Sequence, residues 1–131
     1  MKKKVVNPWR WQDRYGFAQA IEVEDAQRLL LCAGQTSVDA EGNPVHVGDM
    51  IGQVRQALDN LEVVLKASGM TLSDVVHFKY YTTDVPAFID AHESLDKRLK
   101  IVGCIRSSTL VGVTALFHPD ILVEIEAVAV A

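Results

Sequence analysis

The stretch Ile121-Leu-Val-Glu-Ile-Glu-Ala-Val-Ala-Val-Ala131 decides the fold. Side chains alternate across an extended strand, so Ile121, Val123, Ile125, Ala127 and Ala129 share one face, and Leu122, Glu124, Glu126, Val128 and Val130 share the other. The first face is wholly apolar and requires a covering layer. The second carries two carboxylates on a largely apolar strand. An ionised carboxylate there is costly unless it is paired or its pKa rises until it holds a proton.

The strand candidate upstream begins at Arg106, followed by Ser107, Ser108 and Thr109. Arginine does not shed its proton, and its planar fork matches a carboxylate through two parallel hydrogen bonds. Arg106 therefore requires an anion. Spacing leaves that anion open: a structural Arg–Glu pair closing a sheet edge or subunit interface satisfies it as well as a bound acid does.

Further upstream, apolar residues recur at Ile51, Val54, Leu58, Leu61 and Leu65, which predicts a helix. Asp49 can cap its start, and Gly69 can end it in a left-handed conformation. Val75 to Thr83 reads as a strand. Asp84 and Pro86 then open a second helix, with Phe88, Ala91, Leu95 and Leu99 on one side and charge on the other. Two short segments, Phe17 to Val23 and Arg28 to Ala33, read as an antiparallel hairpin joined through Glu24-Asp25-Ala26-Gln27. The order is ββαβαββ, an α+β arrangement with both helices on one face of a sheet. No element remains for the other face, so self-association is expected to cover it.

The length of 131 residues fits one domain spanning 1–131, and 49% hydrophobic against 23% charged residues excludes a disordered chain. No apolar run reaches membrane-spanning length, and Met1-Lys-Lys-Lys-Val-Val-Asn-Pro-Trp9 lacks the apolar core of a secretory signal, so a cytoplasmic protein is expected. Cys32 and Cys104 sit among apolar residues and read as reduced core thiols. A net charge of −4 argues against a nucleic-acid partner. The lysines Lys2 to Lys4 read as a solvated terminus. His46, His77, His92 and His118 show no metal-ligand spacing, and nucleotide-binding and serine-hydrolase signatures are lacking. Trp9 and Trp11, with Tyr15 and Phe17, suit either a stacking platform or packing on a core or interface.

Several stretches together resemble the RidA/YjgF/UK114 (reactive intermediate deaminase) family over almost the whole length. They are Tyr15-Gly-Phe-Ala-Gln-Ala20, Leu31-Cys-Ala-Gly-Gln35, Gln53-Val-Arg-Gln-Ala-Leu-Asp-Asn-Leu61, Arg106-Ser-Ser-Thr-Leu110 and Leu122-Val-Glu-Ile-Glu-Ala127. The resemblance implies a chorismate-mutase-like homotrimer with sites in clefts between subunits. It also implies cofactor-independent hydrolysis of 2-imino acids, such as 2-iminopropanoate and 2-iminobutanoate, to 2-oxo acids and ammonia. Arg106 then matches the family's carboxylate-binding arginine, Glu124 the acid that positions water, and Ser108 a position where many relatives have cysteine.

Departures accompany the matches. Phe17 stands where deaminases commonly have tyrosine, Ala33 where they have serine, and His92 where asparagine is frequent; Ile105 alters the approach to Arg106. Two hydroxyls are lost, which implies a bulkier or different imine. The competing expectations are a non-catalytic Rid protein binding small carboxylates or a partner at the same clefts, and a ribonuclease. The acidic balance and the lack of a histidine pair disfavour the ribonuclease.

Overall fold

The computed structural model describes residues Met1–Ala131. Strand β6 (Val123–Val130) lies inside a four-stranded sheet, pairing antiparallel with β3 (Leu29–Thr36) on one side and β4 (Val75–Thr82) on the other. Strand β5 (Ser107–Gly112) runs parallel to β4 at the edge, giving the order β3-β6-β4-β5. The parallel pair follows from its connection, because the helix between β4 and β5 returns the chain to the same end of the sheet.

Both helices start and stop where their caps require. Asp49 accepts a hydrogen bond from the Gly52 N–H at the head of α1 (Met50–Ala67). At its tail Gly69 takes φ 73°, and the Met70 and Gly69 N–H groups close back on the carbonyls of Leu65 and Lys66. Asp84 accepts from Ala87 N–H to start α2 (Val85–Ile101), with Pro86 in the first turn, where its missing N–H costs nothing. The buried face of α1 differs from the expected stripe at one position: Ile51 is exposed, and Met50 and Ala57 fill the core beside Val54, Leu58, Leu61 and Leu65.

Phe88, Ala91, Leu95 and Leu99 of α2 join that layer against the fully buried Val123, Ile125, Ala127 and Ala129 of β6. The apolar face of the last strand is thus the floor of the core, with both helices above it. Cys32 and Cys104 are free and buried, as expected, and burial pushes both thiols up, Cys104 to about 11.

The predicted hairpin between the first two segments does not form. Residues Lys2–Val6 form β1, which pairs antiparallel with β2 (Ala20–Glu24) as a separate two-stranded sheet. The three lysines are therefore part of a strand rather than a loose terminus, with Lys2 opposite Glu24 and Lys4 opposite Glu22. Backbone bonding explains the change. The N–H groups of Gln27 and Arg28 both donate to the Ala131 carbonyl, and Ala131 N–H donates to Arg28, so the link to β3 is pinned to the end of β6. Those groups are no longer available to close a β2–β3 hairpin.

The sheet face away from the helices carries Glu124, Glu126 and Val128, the Tyr81 side chain, and the exposed Leu29 and Leu31. No helix is long and apolar enough to cross a membrane.

Candidate functional site

Arg106 immediately precedes β5 and is fixed through its backbone: its carbonyl accepts the Ala18 N–H at 2.8 Å, and Ala18 bridges to Ser107. Its side chain is 2% exposed and points to the helix side of the sheet. There Nη2 donates to Asp96 Oδ1 of α2 at 2.8 Å, and the other Asp96 oxygen lies 2.9 Å from Lys100 Nζ. The protein's own anion for Arg106 is therefore Asp96, not a glutamate of the last strand; Glu126 instead accepts the Tyr81 hydroxyl at 2.6 Å. Burial pushes the Asp96 carboxyl up, but hydrogen bonds from Arg106 and Lys100, with their charges, outweigh it and hold the group below the usual carboxylate value.

The chain segment before β2 closes over this pair. Gly16 takes φ 77°, and a Cβ there would lie 1.7 Å from Asp96 Oδ1, so only glycine admits the approach. Two buried polar atoms remain without a partner at the same place, Arg106 Nε and the Tyr80 hydroxyl. Burial pushes the Tyr80 phenol well above its ordinary value, with the Arg106 charge pulling against it. The Tyr80 hydroxyl faces the guanidinium, which sets the one polar atom of the phenol against Arg106 rather than in the apolar core.

Beside them opens a cavity of about 640 Å³, whose lining includes Phe17, His92, Ser108, Asp96, Tyr80 and Trp11. Ser108 lies level with Phe78 in the parallel β4–β5 pairing and thus faces the helices. Burial lowers the pKa of His92, against the opposing pull of Asp96. Trp11 meets Phe17 edge to face at 6.0 Å, and Tyr15 meets His92 at 6.3 Å.

Glu124 and Ala33 lie elsewhere. Alternation on β6 puts Glu124 on the face opposite the helices, where Gly34 approaches so closely that an added Cβ would stand 2.1 Å from Glu124 Oε1. Burial, and then the neighbouring charge of Glu126, raises the Glu124 carboxyl above its ordinary value. Phe17, His92 and Ser108 thus come together with Arg106 just behind them, while Ala33 and Glu124 share the other side of the same sheet.

Residues 12–131 match the family model described as Endoribonuclease L-PSP. A crystal structure of a conserved Rid family protein of unknown function from Yersinia pestis superposes with a TM-score of 0.89, at 33% identity over 100% of both chains. The chain belongs to the Rid family. Among curated Rid relatives, a RutC family protein of Pyrococcus horikoshii is 30% identical over 113 residues, 86% of this chain and 85% of its own. The 2-iminobutanoate/2-iminopropanoate deaminase of Escherichia coli is 24% identical over 106 residues, 81% of this chain and 82% of its own.

In this Rid protein three residues at the site lie outside the sequence-based expectation. Asp96 reads in sequence as part of the charged side of α2, between Leu95 and Lys97; its one signal is the i, i+4 spacing from His92 and to Lys100. Tyr80 is masked by the aromatic run of β4. Gln12 gives no sequence signal at all, yet it is fully buried, donates to the Trp9 carbonyl at 2.8 Å and accepts from the Gln19 amide at 3.0 Å. It braces the loop that carries Trp11.

Proposed function

We propose that this protein hydrolyses 2-imino acids to 2-oxo acids and ammonia in clefts formed between copies of the chain, three in a homotrimer. The observation that carries the reading is the division of the site. Arg106, Ser108, Phe17 and His92 stand on one side of the sheet, and Glu124 and Ala33 on the other. A neighbouring copy that packs its open sheet face beside the cavity of Phe17, His92 and Ser108 brings both halves together.

Arg106 is the carboxylate-binding group. Arg106, Lys100 and Asp96 together carry one net positive charge, and Nε keeps an unused donor, so the cluster retains the capacity to hold one more anion. Held this way, the planar substrate presents one face of its C=N carbon. Glu124 of the neighbouring copy takes a proton from water as the oxygen adds to that carbon. It returns that proton to nitrogen, giving a carbinolamine; a second proton then passes from the carbinolamine hydroxyl to nitrogen by way of the same carboxylate as the C–N bond breaks, so ammonia leaves and the carbonyl of the 2-oxo acid forms. The raised pKa of Glu124 suits a group that must accept and return a proton. The deaminase name of the Escherichia coli relative supports the same reaction.

A second reading draws on one observation: Asp96 already occupies one edge of the guanidinium, which suits a protein that binds small carboxylates in the cleft without turning them over. The test follows imine decay after a threonine dehydratase releases 2-iminobutanoate. Wild-type protein accelerates decay over buffer, and Arg106→Lys and Glu124→Gln each lose about 10²–10⁴-fold of that acceleration. Wild-type decay equal to buffer, with 2-oxobutanoate still stabilising the fold against heat, selects the binding reading.

A further inference from the structure

We infer that the cavity beside Ser108 receives a large apolar or aromatic substrate side chain, and that Trp11 is a residue that sets this preference. The inference rests on the imine-hydrolysis reading and specifies its substrate class.

The space is out of proportion to a small imino acid. A methyl side chain occupies roughly the volume of one water, about 30 Å³, whereas the open groove on one chain, before a neighbouring copy covers its side, has about 640 Å³. Cavities of this size with mostly apolar walls take ligands well beyond a few atoms. Trp11, Tyr15, Phe17, Phe88, Ile89 and Leu110 give it ring faces and aliphatic carbons, while Arg14, Glu93 and Asp96 give it charge, Asp96 being the residue that also holds Arg106. A substrate whose carboxylate is held by the Arg106–Lys100 cluster, which meets the cavity through Asp96, would extend its side chain along those rings.

Trp11 is the informative residue. It is 60% exposed, yet the loop beneath it is built with care. The buried Gln12 ties the loop to Trp9 and Gln19, the turn Asp13–Tyr15 ends at Gly16 with φ 77°, and the Phe17 edge supports the indole. Packing of the core does not require this bracing, since the indole is not in the core. A rigid aromatic side chain, held at the mouth of an apolar cavity, offers a large contact area at little conformational cost to an incoming apolar group. Phe17 presents no hydroxyl to the wall beside it.

The test generates imino acids in place with an amino-acid oxidase, from alanine, leucine and phenylalanine, and traps the surviving imine with semicarbazide. The expected kcat/KM for the phenylalanine-derived imine exceeds that for the alanine-derived one by about tenfold or more, with leucine between them. Trp11→Ala lowers that ratio about tenfold and Trp11→Phe lowers it less. A methyl imine processed as well as the aromatic one, or a ratio unmoved in Trp11→Ala, overturns the inference. If no imine is hydrolysed, the reaction assignment fails, and binding decides the cavity separately. Thermal stabilisation by phenylpyruvate but not pyruvate, lost in Trp11→Ala, upholds it; equal or absent stabilisation by the two acids overturns it.

Discussion

The ion pair between Arg106 and Asp96 ties folding to the side chain proposed to bind substrate. Asp96 is mostly buried, and its neighbour Arg106 almost completely so. Removing one partner leaves an uncompensated buried charge, so Asp96→Asn is expected to cost about 3 kcal/mol, the low end for a buried pair because Lys100 lies in solvent. Urea unfolding measures it. The sign with pH follows from the depressed Asp96 pKa: its contribution is complete above the unfolded carboxylate value near pH 4 and fades as pH falls through the folded value. The stability gap between wild type and Asp96→Asn therefore narrows in acid; a gap constant from pH 7 to pH 3 contradicts the assignment. Glu124 behaves in the opposite sense. Its raised pKa means that the ionised form costs stability at neutral pH, so Glu124→Gln is expected to raise the unfolding temperature while abolishing imine hydrolysis. In the wild type, kcat/KM should rise with pH through a value above the ordinary glutamate pKa. A variant that loses stability along with activity would show that Glu124 is instead a structural group.

At the level of elements, the helices and the last strand were legible in sequence because their signals are local. Asp49, Gly69, Asp84 and Pro86 mark ends by backbone chemistry that needs no distant partner, and the alternation of β6 reports its own burial. Strand pairing is not local. Nothing in Ala20–Glu24 shows that its partner is Lys2–Val6 rather than Leu29–Thr36, since that choice is made by hydrogen bonds to Ala131, more than a hundred residues away. The same limit applies to the site. Arg106 and Glu124 were legible as residues needing partners, but Asp96 was not, because the contact depends on how α2 lies over β5. Gln53 is a further case. It is fully buried in α1; its amide nitrogen donates to the carbonyls of Asp120 and His46, and its oxygen accepts the Leu122 N–H. It thereby fastens the loop before β6 to α1, which sets where Glu124 begins. Gln53→Leu leaves the Leu122 N–H and Asp120 carbonyl unpaired and should lower stability by about 2–3 kcal/mol in chemical denaturation. A loss under 0.5 kcal/mol would mean that water replaces those bonds.

For the whole molecule, the proposed reaction draws its residues from opposite faces of the sheet and therefore requires assembly. Leu31, 72% exposed on the open face, is expected to become an interface residue. Leu31→Asp should leave the far-ultraviolet circular dichroism intact, shift the mass measured by light scattering to that of one chain, and remove imine hydrolysis although Arg106 and Glu124 are both present. An active monomer would show that the site closes within one chain. The most direct test mixes two inactive proteins. Arg106→Lys supplies an intact Glu124 half and Glu124→Gln an intact Arg106 half, so co-refolded mixtures should regain activity in about a quarter of their clefts at random subunit order. Recovery to that level is the predicted result; mixtures as inactive as either parent, in oligomers shown to contain both chains, would contradict a site shared between subunits.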